Sequence, residues 1–179
     1  MEKEIHLIDK IFVPYLSEEK ILSRVKGLGA ELRSNYASEN VLFLSVLNGS
    51  FMFTSDLMKS IDGEVELSFI KLSSYDGTQS SGKVHELIGL NQNIQGRHVI
   101  VLEDIVDTGL TIQRVIKLLK MQNPQSIEVC TLLYKPDAFK GDIGPKYFGF
   151  KIPNKFVVGY GLDYNELGRN FKEIYQLKE

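Results

Sequence analysis

Short runs of almost wholly apolar residues constrain the fold of this chain more than any other feature. Residues 41–47 are apolar except for Ser45, and residues 98–102 and 127–134 are nearly as apolar. A strand with one face in water alternates apolar and polar residues, whereas the strands of a parallel sheet are covered on both faces. The runs therefore predict strands buried inside a mainly parallel sheet.

Segments with helical periodicity separate these runs. Apolar residues recur every three or four positions from Ile21 to Leu32, behind Ser17 as a suitable N-cap, and predict a helix that ends near Tyr36. Further helices are predicted over residues 51–61 and 111–121, and further strands over 65–72 and 156–160. The polar, glycine-bearing residues 73–83 predict a loop. Strands that alternate with helices indicate an α/β fold, a parallel sheet flanked by helices.

Polar residues follow four of the predicted strands at the point where each strand ends. These residues are Asn48, Glu103, Lys135 and Asp163. In open α/β sheets, ligands bind beyond the carboxyl ends of the strands. The pattern therefore predicts that the four residues share one rim of the sheet and that a ligand binds there.

The composition is that of one globular domain and argues against a nucleic-acid or membrane partner. Of the 179 residues, 43% are hydrophobic, which is enough to form a core, and the 21 basic and 23 acidic residues nearly cancel without forming a basic stripe. The charged N-terminus lacks the apolar stretch of a signal peptide, and no apolar run is long enough to span a bilayer. The single cysteine, Cys130, is expected to be a buried core thiol in a cytoplasmic protein.

Residues 99–111 carry the most specific chemical signal. Four apolar residues lead to Glu103 and Asp104, two adjacent carboxylates that are costly at a strand end unless they meet hydroxyl donors or a cation. A ribose diol together with magnesium would satisfy both. From Asp107 the chain starts the predicted helix, whose free N–H groups favour a phosphate, and Gly109 allows close approach of the backbone. Alternatively, Asp107 is only an N-cap and the acids are solvated, but the whole string favours a ribose 5-phosphate site.

This string resembles the phosphoribosyl pyrophosphate motif of the type I phosphoribosyltransferases, and the rest of the chain resembles their hypoxanthine-guanine branch. The resemblance covers about residues 41–169. It rests on Leu47-Asn-Gly-Ser50, Ser74-Tyr75, residues 103–111, Leu133-Tyr-Lys135 and residues 155–169. The resemblance implies a single domain over residues 1–179, with a core over about 37–140 and a small hood from about 1–36 and 141–179.

The resemblance also implies an enzyme of purine salvage. Such an enzyme transfers the phosphoribosyl group from phosphoribosyl pyrophosphate to N9 of hypoxanthine or guanine, with Mg²⁺ as cofactor, and is expected to be a homo-oligomer. Two alternatives remain open: a regulator that senses phosphoribosyl pyrophosphate without catalysis, and a transferase for xanthine or another base. A regulator needs a nucleic-acid face that this chain does not show, and Asp107 with Lys135 favours the enzyme.

For the donor sugar, the resemblance implies that Glu103 and Asp104 hold the ribose hydroxyls directly or through magnesium. Asp107 matches a general base near N7 of the purine, which takes up the proton that the ring sheds when N9 attacks the sugar. The residues that would bind ribose and its 5-phosphate are Glu103, Asp104, Asp107, Thr108, Gly109, Leu110 and Thr111.

For the purine, Lys135 would donate to O6 and so favour 6-oxopurines over adenine, because lysine has no acceptor. Phe156 would stack on the ring, Val157 would offer backbone groups to its edge, and Ile105 would pack against the base. Asp163, beside the purine, matches a second magnesium ligand. The competing interpretations are a surface lysine at 135 and a core aromatic at 156.

For pyrophosphate, the resemblance implies the loop of Asn48 and Gly49 together with Arg169. Relatives usually carry Lys or Arg where Asn48 stands, so one positive charge is missing here, and either pyrophosphate binds more weakly or another cation substitutes for it. The family places a strained, often cis, peptide bond just before the glycine. Ser74 and Tyr75 match a lid that closes over the site and excludes water. Asp163 and Arg169 have a competing interpretation as a surface ion pair.

Overall fold

A computed structural model describes residues 4–37, 39–72, 86–141 and 144–178, and only the backbone of 86–88. The elements are β1 (Ile5–Leu7), β2 (Lys10–Leu16), α1 (Glu18–Tyr36), β3 (Val41–Val46), α2 (Phe51–Ser60), β4 (Glu66–Leu72), β5 (Glu86–Ile88), β6 (His98–Val106), α3 (Leu110–Lys120), β7 (Ser126–Tyr134), β8 (Tyr147–Lys151), β9 (Val157–Val158) and β10 (Ile174–Leu177). Within these residues, no helix is long and apolar enough to cross a membrane.

The central sheet has six strands in the order β5-β4-β3-β6-β7-β8. All neighbours pair in parallel except β4 and β5, which are antiparallel. Alternate residues of the apolar runs face opposite sides: Ile100 packs in the cluster with α1 and α2, and Val99 packs in the cluster with α3. Burial on both faces explains why these strands are continuously apolar, and the α/β prediction is confirmed.

A second, smaller sheet forms from the two ends of the described chain, and we call it the hood sheet. Its four strands run in the order β1-β2-β10-β9, all antiparallel. Phe12, Val158 and Tyr175 form its core. The predicted hood also included α1 and the segment of β8. However, α1 buries its apolar stripe against α2 and β8, and β8 is an edge strand of the central sheet.

Two predicted strands differ from the structure. The strand predicted over residues 98–102 continues to Val106, because Glu103 and Ile105 keep pairing with β7 although the apolar run has ended. The strand predicted over residues 156–160 shortens to Val157–Val158 and pairs with β10 in the hood sheet instead of extending the central sheet. The carboxylates of Glu103 and Asp104 therefore lie within β6 rather than after it.

The remaining predicted elements agree with the structure to within a residue or two at each end. Ser17 caps α1 by accepting a hydrogen bond from the Lys20 amide at 3.4 Å. Ser50 precedes α2, but its hydroxyl donates to the Val46 carbonyl and does not cap the helix. Cys130 is fully buried in the core, as its apolar surroundings predict.

Candidate active site

The candidate site lies at the carboxyl ends of β3, β6 and β7, beside the hood sheet. The backbone amide of Lys135 donates to the Val106 carbonyl at 3.0 Å, which brings the ends of β6 and β7 together. Gly161, between β9 and β10, packs so tightly on the Gly49 carbonyl that an added Cβ would clash with it. The hood therefore contacts the loop that follows β3. Of the four residues predicted to share one rim, Asn48, Glu103 and Lys135 lie at or near the carboxyl ends of central strands, whereas Asp163 follows β9 of the hood sheet.

Glu103 and Asp104 are buried, with 9% and 8% of their surfaces exposed. Among the described residues, Glu103 Oε2 has no hydrogen-bond partner. Burial, reinforced by the neighbouring Asp104, raises the pKa of Glu103 well above its ordinary value. Burial likewise raises the pKa of Asp104 to about 6, although the Ile105 amide donates to its carboxylate at 2.8 Å. The interpretation of solvated acids is wrong because both groups are buried, and a cation or hydroxyl donors would offset the cost of that burial.

The loop after β3 packs closely against these acids. The Leu47–Asn48 peptide bond is cis, and a Cβ added at Gly49 would clash with the Asp104 carboxylate. A side chain at position 49 would therefore displace either the loop or the acid. The Asn48 side chain is exposed to solvent.

The turn into α3 has the geometry of an anion site. Gly109 is the N-cap, with φ of 84°, and no side chain caps the helix. The Phe139 ring occupies the space that a Cβ of Gly109 would need, so a glycine is required for both its conformation and its size. The first turn of the helix leaves backbone N–H groups without intrahelical partners. The interpretation of Asp107 as an N-cap is wrong.

Asp107 instead forms an ion pair with Lys135. Lys135 Nζ lies 2.7 Å from Asp107 Oδ2, and Lys135 is only 6% exposed. The interpretation of Lys135 as a surface residue is therefore wrong. Since an ammonium group has three donors, two remain for other acceptors after the bond to Asp107.

Phe156 lies on the side of the site that the hood sheet forms, directly before β9. It is 44% exposed, so it is not the core aromatic of the competing interpretation. Its ring lies against those of Phe12 and Tyr164, with centroids 6.1 and 5.8 Å away. The adjacent Val157 is buried in β9. Ile105, at the end of β6, is half-buried and packs on the core.

Asp163 and Arg169 lie side by side in the segment between β9 and β10. Arg169 Nη2 is 2.8 Å from Asp163 Oδ1 and 3.1 Å from Glu166 Oε2, and Nη1 donates to the Gly161 carbonyl at 2.9 Å. The ion pair of the competing interpretation is therefore present. It also positions both groups beside the rim, since the charges of Arg169 and Asp163 both act on Asp104.

A cavity of about 230 Å³ connects the loop after β3 with the turn into α3. It is lined by Val46, Leu47, Asn48, Gly49, Leu72, Glu103, Thr111 and Arg114. Arg114 was not among the predicted site residues; the signal for it is its position three residues after Thr111 on one helix face. A larger cavity of about 350 Å³ at the opposite end of β7 contains none of the predicted site residues.

The structure thus brings together most of the residues singled out in the sequence. Glu103, Asp104, Asp107 and Lys135 meet at the rim, with the turn of Thr108, Gly109, Leu110 and Thr111 beside them. Leu110 points largely into solvent. The predicted lid residues Ser74 and Tyr75 lie outside the described residues.

Comparison with known proteins decides the family. Residues 15–165 match the family model of the phosphoribosyl transferase domain. The chain belongs to the phosphoribosyltransferase family. It is 43% identical over 174 residues to a hypoxanthine-guanine phosphoribosyltransferase of Bacillus subtilis (strain 168), covering 97% of this chain and 95% of the relative. A Staphylococcus aureus (strain Mu50) relative of the same name is 44% identical over 164 residues, covering 91% and 92%.

Solved structures of this family share the fold. A crystal structure of a hypoxanthine phosphoribosyltransferase from Staphylococcus aureus superposes with a TM-score of 0.84 at 43% identity, covering 92% of each chain. A hypoxanthine-guanine phosphoribosyltransferase from Bacillus anthracis gives 0.84 at 38% identity, covering 93% of this chain and 96% of the other. This phosphoribosyltransferase therefore has the fold that its sequence predicts, a central parallel sheet flanked by helices.

Proposed function

We propose that this phosphoribosyltransferase transfers the 5-phosphoribosyl group from phosphoribosyl pyrophosphate to N9 of hypoxanthine or guanine, releasing pyrophosphate, in cytoplasmic purine salvage. The observation that carries the proposal is the ion pair of buried Lys135 with Asp107, next to two buried carboxylates and the turn into α3, where no side chain caps the helix. Along β6 and the neighbouring β7, this arrangement would provide a general base, a side chain that selects the purine and a binding site for the sugar phosphate.

The donor sugar fits the acids and the turn. The ribose hydroxyls would meet Glu103 and Asp104, and the 5-phosphate would accept hydrogen bonds from the N–H groups of the turn into α3. Magnesium fits as well, because carboxylate oxygens are its preferred protein ligands and Glu103 Oε2 is buried without a partner among the described residues. Glu103 and Asp104 would hold the ion, and Asp163 would be a further magnesium ligand at a second position. When bound, Mg²⁺ would neutralise charge on the departing pyrophosphate.

The purine fits between the rim and the hood. Phe156 presents a half-exposed ring for stacking, and its neighbours Phe12 and Tyr164 hold it in place. Lys135 has donors left for O6 of a 6-oxopurine, whereas the amino group of adenine offers this lysine no acceptor there.

Asp107 provides the proton acceptor. Its Oδ2 is held by Lys135 at 2.7 Å, which orients the carboxylate and leaves Oδ1 for the purine. As N9 attacks C1 of the sugar, the ring must lose a proton, and we assign its uptake to this carboxylate near N7. The sugar gains positive charge in the same step, which the neighbouring carboxylates stabilise.

The test is a product assay. The protein is incubated with phosphoribosyl pyrophosphate, Mg²⁺ and, in turn, hypoxanthine, guanine, xanthine or adenine, and nucleotide is measured by chromatography. We expect rapid formation of IMP and GMP and little AMP. Equal rates with adenine would contradict the role of Lys135. Binding of the donor without nucleotide from any base would instead indicate a regulator.

On resemblance alone we also propose a homo-oligomer. Light scattering on the purified protein measures the mass directly and compares it with the 20.3 kDa chain. A monomer at working concentration would contradict this proposal and leave the assignment of the reaction unaffected.

A further inference from the structure

Arg114 is a charged residue of the site cavity that the proposed reaction has not yet used. It lies on α3, three residues after Thr111, so the two side chains share one face of the helix. Both line the cavity of about 230 Å³ together with Asn48, Gly49 and Glu103. An arginine in this position faces the space between the loop after β3 and the turn into α3.

Two of the five arginines, Arg33 and Arg114, have no acceptor among the described residues, and of these two only Arg114 lines the site cavity. Arg24 donates to two backbone carbonyls, Arg97 pairs with Glu66, and Arg169 pairs with Asp163. Across the part of the chain that the structure describes, the Arg114 guanidinium makes no hydrogen bond or ion pair. A guanidinium group has five donors, and here all of them remain available to a ligand in the cavity.

The charges that line the cavity favour an anion beside Arg114. Its charged lining residues are Glu103 and Arg114. Glu103 is assigned to the magnesium site, whereas the guanidinium of Arg114 stays protonated at any working pH and is free for an anion. Asn48, on the loop that forms part of the same cavity, contributes no charge. Arg114 is therefore the permanent cation of the described cavity lining.

We infer that Arg114 binds the pyrophosphate group of the phosphoribosyl donor and supplies the positive charge that Asn48 lacks. The inference rests on the proposed function. A guanidinium fork matches two phosphoryl oxygens. The 5-phosphate has its own binding groups in the turn at residues 107–111, so the cavity beside Asn48 and Gly49 is left for the pyrophosphate. Arg114 and Arg169 would then contact it from α3 and from the hood respectively.

The test compares Arg114→Gln with Lys117→Gln, which removes one charge from the same helix at a residue outside the cavity. Two probes are titrated calorimetrically: pyrophosphate with Mg²⁺, and ribose 5-phosphate. We expect pyrophosphate to bind about tenfold more weakly to Arg114→Gln, with ribose 5-phosphate unchanged and Lys117→Gln close to the wild type. Equal losses in both variants, or a loss confined to ribose 5-phosphate, would overturn the inference.

Adding Asn48→Lys to Arg114→Gln tests whether the two positions supply the same charge. We expect the double variant to recover most of the pyrophosphate affinity, and a double variant no better than Arg114→Gln would refute the compensation. The product assay separates this inference from the proposed function. If no base yields nucleotide while Arg114→Gln still weakens pyrophosphate binding, the proposed function fails and the anion site stands. If Arg114→Gln turns over fully and binds pyrophosphate like the wild type, the proposed function stands and the role of Arg114 is refuted.

Discussion

The rim of the central sheet and the hood sheet build the two sides of the site in different ways. Most rim residues come from one continuous stretch, residues 103–111, with Lys135 joining them from the end of β7, and they are placed by buried strands and the first turn of α3. The hood side is assembled from distant parts of the chain: Phe12 of β2 supports Phe156, and β10 joins β2 to β9. The difference suggests a division of work, in which the rim binds the donor and performs the chemistry while the hood holds the purine.

The largest effect is expected at the rim, from Asp107→Asn. An amide cannot accept the purine proton, so kcat should fall by about 10²–10⁴-fold. Nucleotide binding should change little, because the asparagine oxygen still accepts from Lys135. Steady-state kinetics with IMP titration measures both quantities. Asp62→Asn, at an exposed acid, is the matched control. Equal losses in turnover and in IMP affinity would remove the base role.

A smaller effect is expected from Lys135→Ala, which removes the proposed reader of O6. The ratio of kcat/KM for hypoxanthine over adenine should fall by about ten- to a hundredfold, the usual contribution of a hydrogen bond to a charged group. Lys26→Ala, on the exposed face of α1, should leave the ratio unchanged. If Lys135→Ala lowers both rates equally, the lysine orients Asp107 and does not select the base.

The buried carboxylate of Asp104 is expected to lower the stability of the ligand-free protein at neutral pH. A pKa of Asp104 raised from 3.8 to about 6 means that the folded protein binds this proton more tightly than the unfolded chain. Stability from this group is therefore full below about pH 4 and is lost as the pH rises through 6. Asp104→Asn should be more stable than the wild type by about 1–3 kcal/mol at pH 7.5 without ligand, and by less at pH 5.

Denaturant unfolding of both proteins at the two pH values measures this difference. Added Mg²⁺ with phosphoribosyl pyrophosphate should stabilise the wild type much more than Asp104→Asn, because the variant has lost one of the proposed ligands. An advantage of Asp104→Asn that does not depend on pH would show that its cause is packing against Gly49 and not the buried charge.

The difference between the rim and the hood sheet also explains how much of the structure can be predicted from the sequence. The rim is readable because apolar runs, acids and a glycine turn occur in succession, and the central sheet follows from those runs. The hood is less readable because its strands pair across most of the chain: Tyr175 pairs with Pro14 and Val158. Local periodicity therefore predicted a strand over residues 156–160 but not its place in the hood sheet, which only the resemblance implied. It also missed Arg114, since an exposed arginine on a helix looks like any solvated residue until the fold places it in a cavity.

The smallest effect is expected on the hood side of the site, where Phe156 is proposed to stack on the purine. Phe156→Ala removes a half-exposed ring, and the KM for hypoxanthine should rise about tenfold, since a stacked aromatic contributes about 1 kcal/mol or somewhat more. The KM for phosphoribosyl pyrophosphate should stay within about twofold. Phe69→Ala, at a ring 38% exposed on β4, is the matched control. If Phe156→Ala weakens the donor as much as the purine, the hood also shapes the sugar site, and the two sides act as one unit.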